Sequence, residues 1–326
     1  MAKNQFDNIE FLSIGDLAAG LENGMFSSTD LVRCFSEKIS LEDKDFNSIA
    51  FINPQANDIA QKMDEERRAG HVRSGLHGIP IVIKDNIDTA DEMMTSAGSL
   101  ALDGARAHRD AHLVSRLRAG GAVILAKTNL SEWANFRSTR SCTGWSSRGG
   151  QVRNAYAVDR TPGGSSSGSA VAVARSFCAG AIGTETDGSI VVPAAMNSLV
   201  GIKPTIGMVS RAGVIPISFS QDTAGPIAKN VTDEEAEAAF KLAMVGLDPA
   251  NLGANPEAAP WLSNAFDPAP SNIGAILTAK SGAAPYPASA KMSTLHGVLG
   301  AAIGDYLTGA ATAKATLEKI EADYIT

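Results

Sequence analysis

The 326-residue sequence predicts an α/β protein, a β-sheet with helices on its faces. Three observations carry that prediction. GIPIVIKDN (78–86) is a short isoleucine- and valine-rich run that reads as a strand buried on both faces. DAHLVSRLRAGGAVILAKTN (110–129) repeats the theme with an amphipathic helix, a glycine stop and a buried strand over 122–126. The same alternation returns after residue 169, and alternating helix and strand is the pattern of a layered α/β sheet.

The elements follow in order. From about 14 to 70 the period is helical: SSTDLVRCFSEKI opens with serines able to cap and then places Leu31, Phe35 and Ile39 at helical spacing. ANDIAQKMDEERRAG continues in the same style and stops on Gly70. The two strand-like runs come next. A polar, glycine- and serine-rich loop is expected over 138–169, then a small-residue helix, SAVAVARSFCAG, and a short apolar segment, AIGT. Beyond Gly246 the chain turns rich in Pro, Ala, Asn and Gly, which reads as a linker. Two closing helices are expected over 295–307 and 313–324.

Composition narrows the function classes. Hydrophobic residues make up 44% and charged residues 19%, values of a globular chain rather than a disordered one. A net charge of −7 supplies no basic field for a phosphate backbone, so nucleic acid is not an expected partner. Three scattered cysteines, Cys34, Cys142 and Cys178, form no disulfide framework. The first residues, MAKNQFDNIEF, lack a signal-peptide layout, and no apolar run is long enough to span a bilayer. The expectation is a cytoplasmic protein with no membrane association, no cofactor and no metal.

Three stretches could carry chemistry. Lys84 ends the GIPIVIKDN strand, where it either snorkels to water or is desolvated and becomes a base of lowered pKa. PGGSSSGSAVAVA (162–174) leads glycines and serines straight into a helix, yet it is no P-loop, because Ser169 stands where the lysine would follow Gly168. Gly164 to Gly168 matches the GxSxG elbow in letters, but the lead-in AVDRTPG is polar and proline-broken rather than a buried strand. A turn with helix caps is the competing reading. In GTETDGSIVVPAA (183–195) the backbone from Thr186 to Ser189 can curl into a nest of N–H donors facing an oxyanion, or simply end a strand. The five histidines mark no base, and no S-x-x-K pair occurs, so a serine nucleophile here looks to a distant lysine.

Together these stretches resemble the amidase signature family, whose pattern runs GIPxxxKDN, GGSS(G/S)GS, GT(D/E)T(G/D)GSI and G(L/I)KPT. Here the four occur in that order as GIPIVIKDN, GGSSSGS, GTETDGSI and GIKPT (201–205), with 24 positions between Ser165 and Ser189. KTNLSEWANF (127–136) and the GTETDGSIVVPAA variant resemble the bacterial peptide amidase branch, which releases ammonia from C-terminal peptide amides. The resemblance implies a mixed β-sheet flanked by helices and a triad with a cis bridging serine. By position, Ser189 is the nucleophile, Ser165 the bridge and Lys84 the base. The backbone N–H groups of Thr186, Asp187, Gly188 and Ser189 hold the oxyanion, and the substrate is a small-molecule or peptide amide. Glu185 stands where the family more often has Asp, Asp187 where most have Gly, and Val191 where many have Arg.

The resemblance covers about residues 9–250, so the expected division is an amidase signature domain over 1–250 and a linker with a helical tail over 251–326. The chain reads as C-terminally truncated relative to the family, and the tail is faintly similar to the C-terminal helices of extracellular solute-binding proteins. A sheet short of strands needs a cover for its open edge, either the tail or a second copy in a homodimer. Two further readings stand beside the hydrolase: a catalytically impaired chimera whose tail binds solute, and one subunit of a glutamine amidotransferase that works on aminoacyl-tRNA.

Overall fold

The structure, a computed structural model, describes residues 9–229. The expected linker and closing helices lie outside them. The chain opens with α1 (Ile14–Glu22) and α2 (Ser28–Glu42). Both begin with a capping box: Ser13 pairs with Asp16, and Ser27 with Asp30, each serine accepting the N3 amide while the aspartate accepts the cap amide. Leu31, Phe35 and Ile39 lie buried on one face of α2, as their spacing predicts.

The helical reading of 14–70 missed one element. Ile49–Ile52 is a strand, β1, lying between α2 and α3 (Ala56–Arg68). Its four residues, IAFI, are too few to show a period, and an edge strand needs no longer run. α3 ends where expected, with Gly70 at φ +81°.

β2 (Pro80–Lys84) and β3 (Val123–Thr128) are buried at every residue and pair in parallel, joined through α4 (His112–Ala119). β3 runs two residues past the predicted end, so Lys127 and Thr128 belong to the sheet. The glycine- and serine-rich loop contains a small hairpin, β4 (Trp145–Ser146) with β5 (Gly150–Gln151), before α5 (Ser167–Ala174). α5 is made of small residues, and seven of its eight are buried against the middle strands. β6 (Gly180–Glu185) follows, then a short helix α6 (Val191–Met196), β7 (Val200–Gly201) and β8 (Thr223–Ala228).

The main sheet has the order β1-β3-β2-β6-β8-β7. β3, β2 and β6 run parallel, while β1 at one end and β8 and β7 at the other run antiparallel to their neighbours, so the sheet is mixed. β8 escaped the sequence reading because TAGPIA carries a glycine and a proline inside a paired strand. α6 carries Pro193 within its first turn, where a missing N–H costs nothing.

Candidate active site

The C-terminal ends of parallel β2 and β6 lie side by side, and both strands deliver polar groups there. Lys84 is the last residue of β2 and Thr184 the penultimate residue of β6. Between them comes the entrance to α5. The Gly164–Ser165 peptide bond is cis, and the Ser165 carbonyl accepts the Ser131 N–H at 3.1 Å.

Lys84 does not snorkel. Its side chain is fully buried, and its Nζ donates to Ser165 Oγ at 2.7 Å, Thr184 Oγ1 at 2.9 Å and Thr184 O at 3.1 Å. Burial disfavours the ammonium and lowers its pKa from 10.5 to about 7, with the Glu185 and Asp222 carboxylates pulling in the other direction. Neutral lysine has two N–H bonds and one lone pair. Thr184 offers two acceptors, so both N–H bonds can be taken by Thr184 while the lone pair faces Ser165 Oγ. That is the arrangement a lysine base requires.

Ser165 is fully buried, whereas Ser189 retains 5% of its surface. The Ser166 N–H donates to the Ser189 carbonyl at 3.1 Å, which ties the serine loop to the turn after β6. Ser189 Oγ has no hydrogen-bond partner among the described residues. Gly188 takes the left-handed conformation, φ +73°, that reverses the chain just before this serine. Of the four N–H groups expected to face an oxyanion, that of Gly188 is directed to Glu185 Oε1 at 3.0 Å. Those of Thr186, Asp187 and Ser189 carry no hydrogen bond among the described residues.

The sequence reading missed Thr184, Asn86 and Asp222. Asn86 Nδ2 donates to Thr184 Oγ1 at 2.9 Å and so helps to orient the hydroxyl that holds Lys84. Asp222 accepts from Thr186 Oγ1 and from the N–H groups of Ile217 and Ser218, which joins the start of β8 to the turn. The one available signal was for Thr184, a hydroxyl near the buried end of a strand whose preceding residues are all small or apolar. His108 and His112 stand four apart in the sequence. Only His112 lies in α4, and no group of three His, Cys, Asp or Glu side chains able to hold a metal occurs among the described residues.

Over most of its length the chain is similar to known amidases. The amidase family profile matches residues 30–276. The crystal structure of native peptide amidase from Stenotrophomonas maltophilia is 53% identical with a TM-score of 0.69, covering 73% of this chain and 48% of that one. A putative amidase of Schizosaccharomyces pombe is 48% identical over 233 residues, 72% of this chain and 40% of its own length. A glutamyl-tRNA(Gln) amidotransferase subunit of Pseudomonas syringae is 41% identical over 239 residues, 73% of this chain and 47% of its own. The chain belongs to the amidase signature family. It spans less than half the length of these relatives.

Proposed function

We propose that the protein is a serine amidase that cleaves a carboxamide C–N bond and releases ammonia from C-terminal peptide amides or other small amides. The observation that carries this reading is the 2.7 Å contact between a fully buried Lys84 of lowered pKa and Ser165 Oγ. In the proposed reaction neutral Lys84 accepts the Ser165 proton as Ser165 takes that of Ser189. Ser189 Oγ forms a bond to the carbonyl carbon, and the N–H groups of Thr186, Asp187 and Ser189 receive the negative oxygen. The C–N bond then breaks as Ser165 gives its proton to the nitrogen and takes one back from Lys84, and water repeats the sequence on the acyl-serine with Lys84 again neutral. The identity to a peptide amidase supports the peptide-amide substrate class.

The test is covalent labelling by a fluorophosphonate probe, with the modified peptide mapped by mass spectrometry. Labelling at Ser189 that vanishes in Ser189→Ala and Lys84→Ala is expected, together with ammonia release from an amidated dipeptide. A folded protein that takes no label refutes the reading. Similarity to an amidotransferase component favours one alternative, a glutaminase that works with partner proteins. Ammonia release from amidated peptides by the isolated chain argues against it. The reading places the protein in the cytoplasm, consistent with free Cys34, Cys142 and Cys178. A homodimer covering an open sheet edge is checked by light scattering after size-exclusion chromatography.

A further inference from the structure

Glu185 ends β6 as a buried carboxylate with 4% of its surface exposed, and it points along the turn that follows. Oε1 accepts the Gly188 N–H at 3.0 Å, and Oε2 accepts those of Ile190 at 2.7 Å and Val191 at 3.0 Å. Three of the four amides from 188 to 191 therefore converge on one side chain, and the fourth, that of Ser189, does not. The left-handed Gly188 makes this possible, because it reverses the peptide plane between one gripped amide and the next. Thr186, Asp187 and Ser189 are left with N–H groups that no described residue accepts.

We propose that Glu185 is a positioning residue: by gripping the amides of Gly188, Ile190 and Val191 it holds the turn so that the amides of Thr186, Asp187 and Ser189 face the substrate oxygen. This rests on the amidase reading of the site. The grip is specific to a carboxylate. A buried carboxylate accepts at both oxygens, whereas glutamine presents an NH₂ donor to either Gly188 or the Ile190–Val191 pair and so forces one set of amides away. Aspartate keeps both acceptors on a side chain one methylene shorter. A turn held by packing alone would be indifferent to the difference between Glu and Gln, which are nearly the same shape.

The experiment compares the wild type, Glu185→Gln and Glu185→Asp in ammonia release from an amidated dipeptide and in affinity for the matching peptide aldehyde. The aldehyde forms a tetrahedral adduct that needs the same N–H donors as the reaction. Loss of one such donor costs about 10²–10³-fold in kcat. Glu185→Gln is expected to lose kcat in that range with KM within about threefold, and to lose aldehyde affinity in proportion. Glu185→Asp is expected to recover most of both. Removing the charge also removes one of the two carboxylates, Glu185 and Asp222, that face Lys84 and favour its protonated form, so the acid limb of kcat/KM moves to lower pH in Glu185→Gln.

A folded Glu185→Gln protein with wild-type kcat overturns the proposal, as does a loss carried by KM or one that leaves aldehyde affinity unchanged. Should the wild type itself neither turn over nor take the fluorophosphonate, the amidase reading fails separately. Hydrogen exchange then decides for Glu185: a peptide spanning 186–196 is expected to exchange faster in the Gln variant. Equal protection overturns the grip.

Discussion

Thr184 supplies two of the three oxygens around Lys84 Nζ, its carbonyl at 3.1 Å and its hydroxyl at 2.9 Å, and Ser165 Oγ is the third at 2.7 Å. One residue thus decides where the lysine lone pair points. The hydroxyl is itself fixed by Asn86 Nδ2, so the orientation is enforced from β6 and from the segment just past β2. Thr184→Val is close to isosteric and deletes the hydroxyl acceptor, leaving one Lys84 N–H and the Asn86 amide unmatched in a buried site. An unsatisfied buried donor costs about 1–3 kcal/mol. The expected result is a fall in kcat of about 10–100-fold, equivalent to that energy. Thr184→Ser keeps the oxygen and should restore most of the rate. Steady-state kinetics of the two variants side by side check the claim.

A base with a pKa of about 7 sets the pH profile. Below pH 7 the Lys84 ammonium has no lone pair for Ser165, so kcat/KM should rise tenfold per pH unit and level off above about pH 7. The direction is fixed by desolvation, the dominant influence on Lys84. A profile flat from pH 5.5 to 8, measured as ammonia release at low substrate, would contradict Lys84 as the base.

How much of this was legible from sequence depends on what each residue needed. Lys84, Ser165 and Ser189 lie in stretches whose order and spacing are distinctive, so the structure finds the first two in contact and the third on the adjoining turn. The buried strands β2 and β3 were readable because runs of isoleucine and valine have few other uses. β1 and β8 were not, since one is four residues long and the other is interrupted by Gly225 and Pro226. Thr184 meets Lys84 and Asn86 at 2.9 Å across 100 and 98 residues of chain, and no local pattern encodes such contacts. Glu185 reaches amides only three to six residues on, but that grip depends on the chain reversal at Gly188. Gly188 shows the same limit. It was expected among the oxyanion donors, but its amide serves the Glu185 carboxylate.

Gly168 illustrates why the serine loop is rich in glycine. It lies in α5, and its amide donates to the Asn129 carbonyl at 3.0 Å. A Cβ at this position would collide with the carbonyl oxygens of Ser48 and Asn129 and come within 2.8 Å of Asn129 N. These are backbone atoms of β3's exit and the segment before β1, and they cannot rotate away. Gly168→Ala, favourable in an isolated helix, should here destabilise the fold by about 3 kcal/mol or more. For a chain of this size that corresponds to a drop in Tm of about 5 °C or more, read by differential scanning fluorimetry.

The buried lysine that serves the chemistry also weighs on stability, and the sign can be worked out. Below about pH 7 Lys84 is protonated in both folded and unfolded chains, and the fold carries the whole cost of burying an ammonium. Between about 7 and 10.5 only the unfolded chain binds the proton, so stability climbs with pH through that window. Above 10.5 the penalty is gone. Lys127, lowered to about 8 chiefly by burial, adds a similar slope over a narrower range. Comparing the wild type with Lys84→Met separates the two, because Lys127 is common to both. Methionine fills the space without a charge, although Ser165 Oγ and Thr184 Oγ1 lose a donor. The variant should lose activity by at least about 10³-fold while its urea midpoint at pH 7 stays level or rises. Its stability should also increase less steeply from pH 7 to 9 than that of the wild type. A steeper rise in the variant, or a midpoint far below wild type at pH 7, would mean that Lys84 is held as a stabilising cation rather than as a neutralised base.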